Sequence, residues 1–139
     1  MENLPRASVV VDSNIFIGLL RRGGDPVCSL AKWIGEGDLV TCGMIRLEVE
    51  RGLRFPRIRR SLGAFFDVMI NVPTSNKLWE AAVDLAWNLD RRGVTLPAQD
   101  ILIAACALSS GSKVLTDDAH FRHIPGLVVV KPAGVIPGW

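Results

Sequence analysis

Cysteine and histidine are scarce in this chain. Its three cysteines, Cys28, Cys42 and Cys106, are scattered along 139 residues, and no two have the spacing of metal ligands. A zinc site built on paired thiolates is therefore excluded. An odd number of dispersed thiols fits buried side chains in a reducing compartment better than a disulfide framework. His120 and His123 are the only histidines, too few for a histidine-rich site. No apolar run approaches the roughly 20 residues that a membrane-spanning helix needs. The segment Met1–Arg6 lacks the charged and apolar regions of a signal peptide, so a cytoplasmic location away from membranes is the expectation. Low-complexity segments, long linkers and internal repeats are missing as well. Net charge is only +2, and a value so small selects no partner by itself.

What the chain does have is apolar substance. Hydrophobic residues make up 49% of it, which fits a folded globule and excludes disorder. The length points to one domain spanning 1–139, with a core over about 7–130 and a short irregular tail. Ala7–Val11 is short and rich in valine, as a buried strand is. Ser13 can cap a helix over Asn14–Arg21. Pro26 suits the first turn of a second helix reaching about Ile34, ended by Gly35 and Gly37. Leu39–Cys42 reads as a strand. Met44–Leu53 reads as a helix with Ile45, Val49 and Leu53 on one face, Pro56 interrupts, and Ile58–Phe66 is a further helix. After a strand at Val68–Val72, Thr74 or Ser75 caps a long helix to Arg91. Its stripe is Leu78, Ala82, Leu85 and Leu89, and Trp79 and Trp87 beside it are expected in the core. Ala98–Ser109 is apolar nearly all round and should be central and buried. Val114–Thr116 and Leu127–Val130 complete the strands. Strands alternating with helices imply a mainly parallel sheet of four to five strands covered on both faces. Ligands of such sheets bind beyond the carboxyl ends of the strands, near a topological switch point.

Against that apolar background, several carboxylates are out of place. Asp12 ends the run Val9-Val10-Val11. Asp100 opens the apolar run Ile101–Leu108. Asp117 and Asp118 follow Val114-Leu115-Thr116. Glu48 and Glu50 flank the apolar face of their helix about equally, and Gly52, one turn after Glu48, leaves room on that side. A buried, unpaired carboxylate costs several kcal/mol or shifts its pKa until it is neutral. Capping explains some of these acids singly, since Asp, Ser and Asn all favour helix starts and the first turn favours negative charge. It does not explain an acid directly after three valines. Acids from separate segments converging on a cation would be tolerated together, and all-oxygen ligands select a hard divalent ion, Mg2+ or Mn2+, over zinc. Arg46, Arg51, Arg54, Arg57, Arg59 and Arg60 crowd one stretch, opposed there by Glu48 and Glu50. Such a patch can face nucleic-acid phosphates, an acidic protein partner, or simply water.

The ordered set of motifs resembles the PIN-domain family of metal-dependent ribonucleases, and within it the VapC-type toxins of toxin–antitoxin pairs. The motifs are Val10-Val11-Asp12-Ser13-Asn14, then Glu48-Val49-Glu50-Arg51-Gly52, then Asp100-Ile101-Leu102-Ile103-Ala104-Ala105. The last is Leu115-Thr116-Asp117-Asp118-Ala119-His120-Phe121, followed by Ile124-Pro125-Gly126-Leu127. The likeness spans about Val9 to Val130 and implies a three-layer α/β/α sandwich. The family places an acid four residues before a glycine, which favours Glu48. It also places a threonine two residues before its last acid and a phenylalanine three residues after it, which favours Asp118. The resemblance thus implies Asp12, Glu48, Asp100 and Asp118 as catalytic acids. Asp12, Asp100 and Asp118 would bind metal directly, and Asn14 and Thr116 would support the site by hydrogen bonding. The implied reaction is hydrolysis of RNA phosphodiesters by a metal-activated water, with one or two Mg2+ or Mn2+ ions. An inhibitory antitoxin is implied as partner, with a homodimer of the chain itself or a toxin–antitoxin hetero-oligomer. Arg46, Arg57, Arg59 and Arg60 would then contact either RNA or antitoxin.

Three other readings compete. A phosphohydrolase with Asp12 as covalent nucleophile would want a second acid two positions on, where Asn14 stands. A non-catalytic RNA-binding or interaction module on the same fold would show eroded acids, and the set here is intact. A receiver-like domain would want an acidic pair after the first strand, which is missing.

Overall fold

The computed structural model describes the backbone of residues 8–36 and 38–139, and their side chains except those of 32–36. Met1–Arg6, Ala7 and Gly37, on which the sequence reading placed the N-terminal segment, a strand end and a helix stop, lie outside the described residues. Strands β1 (Ser8–Val11), β2 (Asp38–Thr41), β3 (Ile70–Asn71), β4 (Lys113–Leu115) and β5 (Val129–Val130) form one sheet. Their order is β3-β2-β1-β4-β5, and every neighbouring pair is parallel. Parallel neighbours need long crossovers. Most of these are helices: α1 (Ser13–Arg21), α2 (Pro26–Glu36), α3 (Gly43–Arg51), α4 (Pro56–Asp67), α5 (Asn76–Arg91) and α6 (Ala98–Ser110). The sheet is flanked by helices, in the layered α/β arrangement expected. Helix α6 lies against β1 and β4 and packs on α5, whereas α2 lies against β2 and α4. The chain steps outward from β1 through β2 to β3, then crosses back to place β4 on the other side of β1. The gap between β1 and β4 is therefore the topological switch point, where open parallel sheets bind ligands.

The central elements follow directly from their residues. Val9, Val10 and Val11 are buried on β1, and the run Ile101–Ala107 is buried without interruption on α6. Gly111 ends α6 at φ 65°, in the left-handed region that favours glycine. Ser75 caps α5 by accepting from the Leu78 amide at 3.2 Å. The edges depart more from expectation. Asp12, not Ser13, caps α1. Gly35 lies inside α2 instead of ending it, and Pro56 starts α4, where its missing N–H is harmless. The expected strand Val68–Val72 shrinks to two exposed residues at the sheet edge.

Three further expectations are overturned. Trp79 and Trp87 are exposed, at 47% and 57%, and with Val83 they form an outward stripe at four-residue spacing on α5. A helix paired along one face with α6 has no second face to bury. The Arg91 guanidinium covers the Trp87 ring at 4.6 Å. Cys28 is exposed, unlike Cys42 and Cys106, because it sits on the side of α2 near Asp25, which accepts its thiol at 3.3 Å. The tail is anchored: Pro132–Gly134 forms a 3-10 turn and Ile136 is buried. Trp139 lies on Gly18 of α1, where any Cβ would meet the indole, and Arg22 stacks on the same ring at 3.7 Å.

A second 3-10 turn, Ala119–His123, follows β4 and has no counterpart in the sequence reading. Phe121, completely buried, pins this turn to the core. Phe121→Ala should lower the unfolding free energy in urea by about 3–5 kcal/mol, the range for emptying a packed aromatic site; a loss within about 1 kcal/mol would show that the turn does not depend on this anchor.

Candidate active site

The site is built where β1 and β4 end. Their register pairs Val11 with Leu115, and the Asp12 amide donates to the Leu115 carbonyl at 3.0 Å. Asp12 and Thr116 thus leave adjacent strands side by side. Both are buried, at 3% and 1% exposure. Asp12 Oδ1 accepts from the Ser13 amide at 2.8 Å, capping α1, and Oδ2 accepts from Thr116 Oγ1 at 2.8 Å. The Thr116 oxygen in turn accepts from Asn14 Nδ2 at 3.2 Å and from the Asp118 amide at 3.0 Å. One proton and two lone pairs are all that a hydroxyl has, and each is used. Asn14 Oδ1 accepts from the Asp117 amide at 3.4 Å. Asn14 and Thr116 therefore tie the exit of β1 to the exit of β4.

Glu48 reaches the same place from α3. Its Oε1 accepts from Ser13 Oγ at 3.2 Å, and that hydroxyl also lies 3.5 Å from Asp12 Oδ1. Glu50 turns the other way, bonding Arg46 at 2.5 Å and Arg59 at 3.1 Å. Gly52 caps α3, and a Cβ there would meet nothing closer than ordinary contact. Asp118 caps the 3-10 turn by accepting from the His120 amide at 2.9 Å, while Asp117 is exposed. Asp100 stands in the first turn of α6. The geometry thus turns Glu48 and Asp118, over Glu50 and Asp117, toward Asp12 and Asp100.

His120 is the residue that sequence reasoning passed over. Its Nδ1 lies 2.9 Å from Asp100 Oδ2 and 3.3 Å from Asp118 Oδ1. The only signal for it was its place two residues after Asp118 in the last motif, where a lone histidine in a polar loop says little. Donor atoms of Asp100, Asp118 and His120 all lie within 4.8 Å of one another, close enough to share a metal ion. Asp12 and Glu48 stand outside that trio, joined to it through Thr116 and Ser13.

The charges show why a cation would be welcome. Burial, reinforced by the charges of Asp100 and Glu48, pushes the Asp12 carboxyl up to about 6 despite its bonds from Thr116 and Ser13. Burial also raises the Asp100 carboxyl, outweighing the His120 hydrogen bond, and the Asp118 charge adds to the rise. His120 moves up as well, chiefly through its bond to Asp100, so the two partners shift in one direction for opposite reasons. Among the described residues, no lysine or arginine pairs with Asp12, Glu48, Asp100 or Asp118. A set of hard oxygen donors with no lysine or arginine partner among the described residues fits a divalent ion.

The arginine stretch forms a separate feature. Arg46, Arg54, Arg59 and Arg60 line a groove of about 660 Å3 with Glu50, Phe55 and Asp67. Arg46 is engaged by Glu50 and by Asp67, the latter at 2.7 Å, and Arg59 by Glu50, so part of the patch is neutralised internally. A second groove of about 390 Å3, lined by Ile17, Leu20, Val49, Leu53 and Ile58, is mostly apolar.

The PIN domain family model matches residues 9–127. No curated protein sequence matches the chain. Among solved structures, a chain of the DNA-bound VapBC complex from Salmonella typhimurium superposes with a TM-score of 0.75 at 18% identity, over 90% of this chain and 98% of that one. A chain of VapBC2 from Rickettsia felis, bound to a promoter DNA fragment, gives 0.73 at 18% identity, over 89% and 98%. The Mycobacterium tuberculosis toxin VapC20, described as cleaving the sarcin–ricin loop, gives 0.63 at 18% identity, over 89% and 99%. At such identities the likeness is one of fold.

The raised Asp12 carboxyl sets a pH dependence. A folded pKa above the unfolded one means that the folded protein binds more protons between about 4 and 6, so stability falls as pH rises through that window. The loss is on the order of 3 kcal/mol once Asp12 is ionised. Asp12→Ala removes that loss but also an N-cap and the partner of the Thr116 hydroxyl, each worth about 1 kcal/mol. In chelator, the variant should melt below the wild type at pH 4.5, and the difference should move in the variant's favour by roughly 5–10 °C at pH 7.5. A difference in melting temperature that is the same at both pH values would refute the buried-charge account.

Proposed function

The chain belongs to the PIN-domain family, and on that premise we propose that it is a Mg2+- or Mn2+-dependent endoribonuclease acting as the toxin of a VapBC-type pair. The observation that carries this reading is the convergence of Asp12, Glu48, Asp100 and Asp118 on the carboxyl ends of β1 and β4, with no basic side chain among the described residues pairing the first two. When bound, a divalent ion would lower the pKa of a coordinated water and offset charge building on the phosphate. Asp12, Asp100 and Asp118 are the direct ligands in this reading. Glu48, held through Ser13 beside Asp12, binds metal or orients the attacking water. Thr116 and Asn14 keep Asp12 and the Asp118 backbone in fixed relation, so little reorganisation is needed at the moment of reaction.

The partners follow from the same reading. A cognate antitoxin silences the enzyme in the cytoplasm. The apolar groove between α1, α3 and α4, rimmed by Arg21 and Arg54, suits an amphipathic acidic segment of such a protein. Arg57 and Arg60, which make no ion pair among the described residues, are left to meet RNA phosphates or antitoxin acids. The Trp79–Val83–Trp87 stripe on α5 supports a homodimer, since an exposed row of large apolar side chains marks an association surface.

Purified protein should cleave RNA in Mn2+ and stop when the metal is chelated. Asp12→Ala and Asp118→Ala should each lower the cleavage rate at least about a hundredfold, while Asp117→Ala stays within about threefold. Full cleavage by Asp12→Ala would sink the assignment, and metal binding without any cleavage would favour a non-catalytic RNA-binding module. For the dimer, Trp79→Glu with Trp87→Glu should halve the mass seen by light scattering while the far-ultraviolet circular dichroism spectrum stays the same, because neither ring is in the core; an unchanged mass would place the interface elsewhere.

A further inference from the structure

Four acids do not exhaust the donors gathered at this site. His120 projects from the 3-10 turn between an acid on α6 and the acid that caps its own turn. Nothing about folding requires that placement: the imidazole is 47% exposed, and the turn is already held by the buried Phe121 ring and the Asp118 cap. The other histidine, His123, lies on the same turn and takes no part in the trio.

The spacing is compatible with a coordination shell. Donors about 2.0–2.2 Å from one ion lie about 3 to 4.4 Å from each other, from cis to trans. His120 Nδ1 is 2.9 Å from Asp100 Oδ2 and 3.3 Å from Asp118 Oδ1, and the whole trio fits within 4.8 Å. Asp100 Oδ1 and Asp118 Oδ2 accept no hydrogen bond among the described residues, so both carboxylates keep an oxygen for the metal.

We propose that His120 is a nitrogen ligand to the metal bound by Asp100 and Asp118, and that it tilts this chain's ion preference from Mg2+ toward Mn2+. The proposal rests on the metal-dependent nuclease reading and adds to it a donor of a different kind. Carboxylate and water oxygens suit Mg2+, whereas imidazole suits the later first-row ions. The site then has two unlike halves. Asp12 and Glu48 form an all-oxygen half linked through Ser13; Asp100, Asp118 and His120 form a mixed half. Thr116 joins them, donating to Asp12 and accepting from the Asp118 amide.

The test uses the full chain and its His120→Ala, His120→Gln and His123→Ala variants at one pH near 7.5. Calorimetry with Mn2+ and with Mg2+ gives the affinities, and pulsed electron paramagnetic resonance of the Mn2+ complex reports any directly bound nitrogen. Mn2+ affinity should drop roughly tenfold or more in both His120 variants, while Mg2+ affinity changes by less than about threefold. The nitrogen signal should be present in the wild type and in His123→Ala, and lost in both His120 variants. Thermal melts without metal check that every variant folds. If the wild type shows no nitrogen signal, or if Mn2+ affinity is unchanged in His120→Ala, His120 is not a ligand; Mn2+-dependent cleavage that still requires Asp12 would then leave the nuclease reading standing. A wild type that binds neither ion overturns both.

Discussion

One buried hydrogen bond organises this protein: the Thr116 hydroxyl donating to the Asp12 carboxylate at 2.8 Å. The two residues are 104 positions apart in the chain and meet because β1 and β4 are paired in parallel. A carboxylate at 3% exposure is among the most expensive groups a core can hold. Thr116 and the Ser13 amide offset part of that expense without neutralising the charge. Their help falls short, because the carboxyl remains raised to about 6. A fold that keeps a charge it cannot fully stabilise is suited to a cation, and the neighbouring acids increase the demand. The same threonine also receives the Asp118 amide, so the bond that shelters Asp12 sets the position of the second acidic branch.

The apolar elements serve that arrangement. Helix α6 is buried from Ile101 to Ala107, so the position of Asp100 at its start is set by the sheet beneath it. Helix α3 buries Ile45 and Val49 and thereby directs Glu48 toward α1. The turn that carries Asp118 and His120 is anchored by Phe121. Each acid is attached to an element whose opposite face is in the core, and the site is as rigid as the packing behind it. Elements without that duty are looser in design. Strand β3 has two residues, and α5 exposes two tryptophans.

Much of this was legible along the chain because the signals were local. A valine run ending in an acid, an apolar helix opening with one, and glycines at helix ends are all read within one window. The parallel sheet followed from alternation, and the resemblance of the ordered motifs favoured Glu48 and Asp118 where single positions left the choice open. Other features were not local. The outward face of α5 could not be told from its core face by hydrophobicity alone, since Trp79 and Trp87 are as apolar as the stripe that is buried. Gly35 has the composition of a helix stop but lies within α2. The tail reads as irregular because nothing near Trp139 shows that Gly18, 121 positions earlier, leaves a place for its ring.

The sequence by itself determined most of the candidates for chemistry: the acids set against apolar runs, the polar pair Asn14 and Thr116 near them, and the class of ion that such oxygen donors suit. Those are properties of residue type and near neighbours. Only the tertiary structure decided which donors lie close enough to share an ion. It joined Asp100, Asp118 and His120, and it held Asp12 and Glu48 one hydrogen bond away through Thr116 and Ser13. Such distances depend on strand order and on the angle of α6 over the sheet. No window of sequence contains either, because both are set by packing between segments that meet only when the whole core has formed.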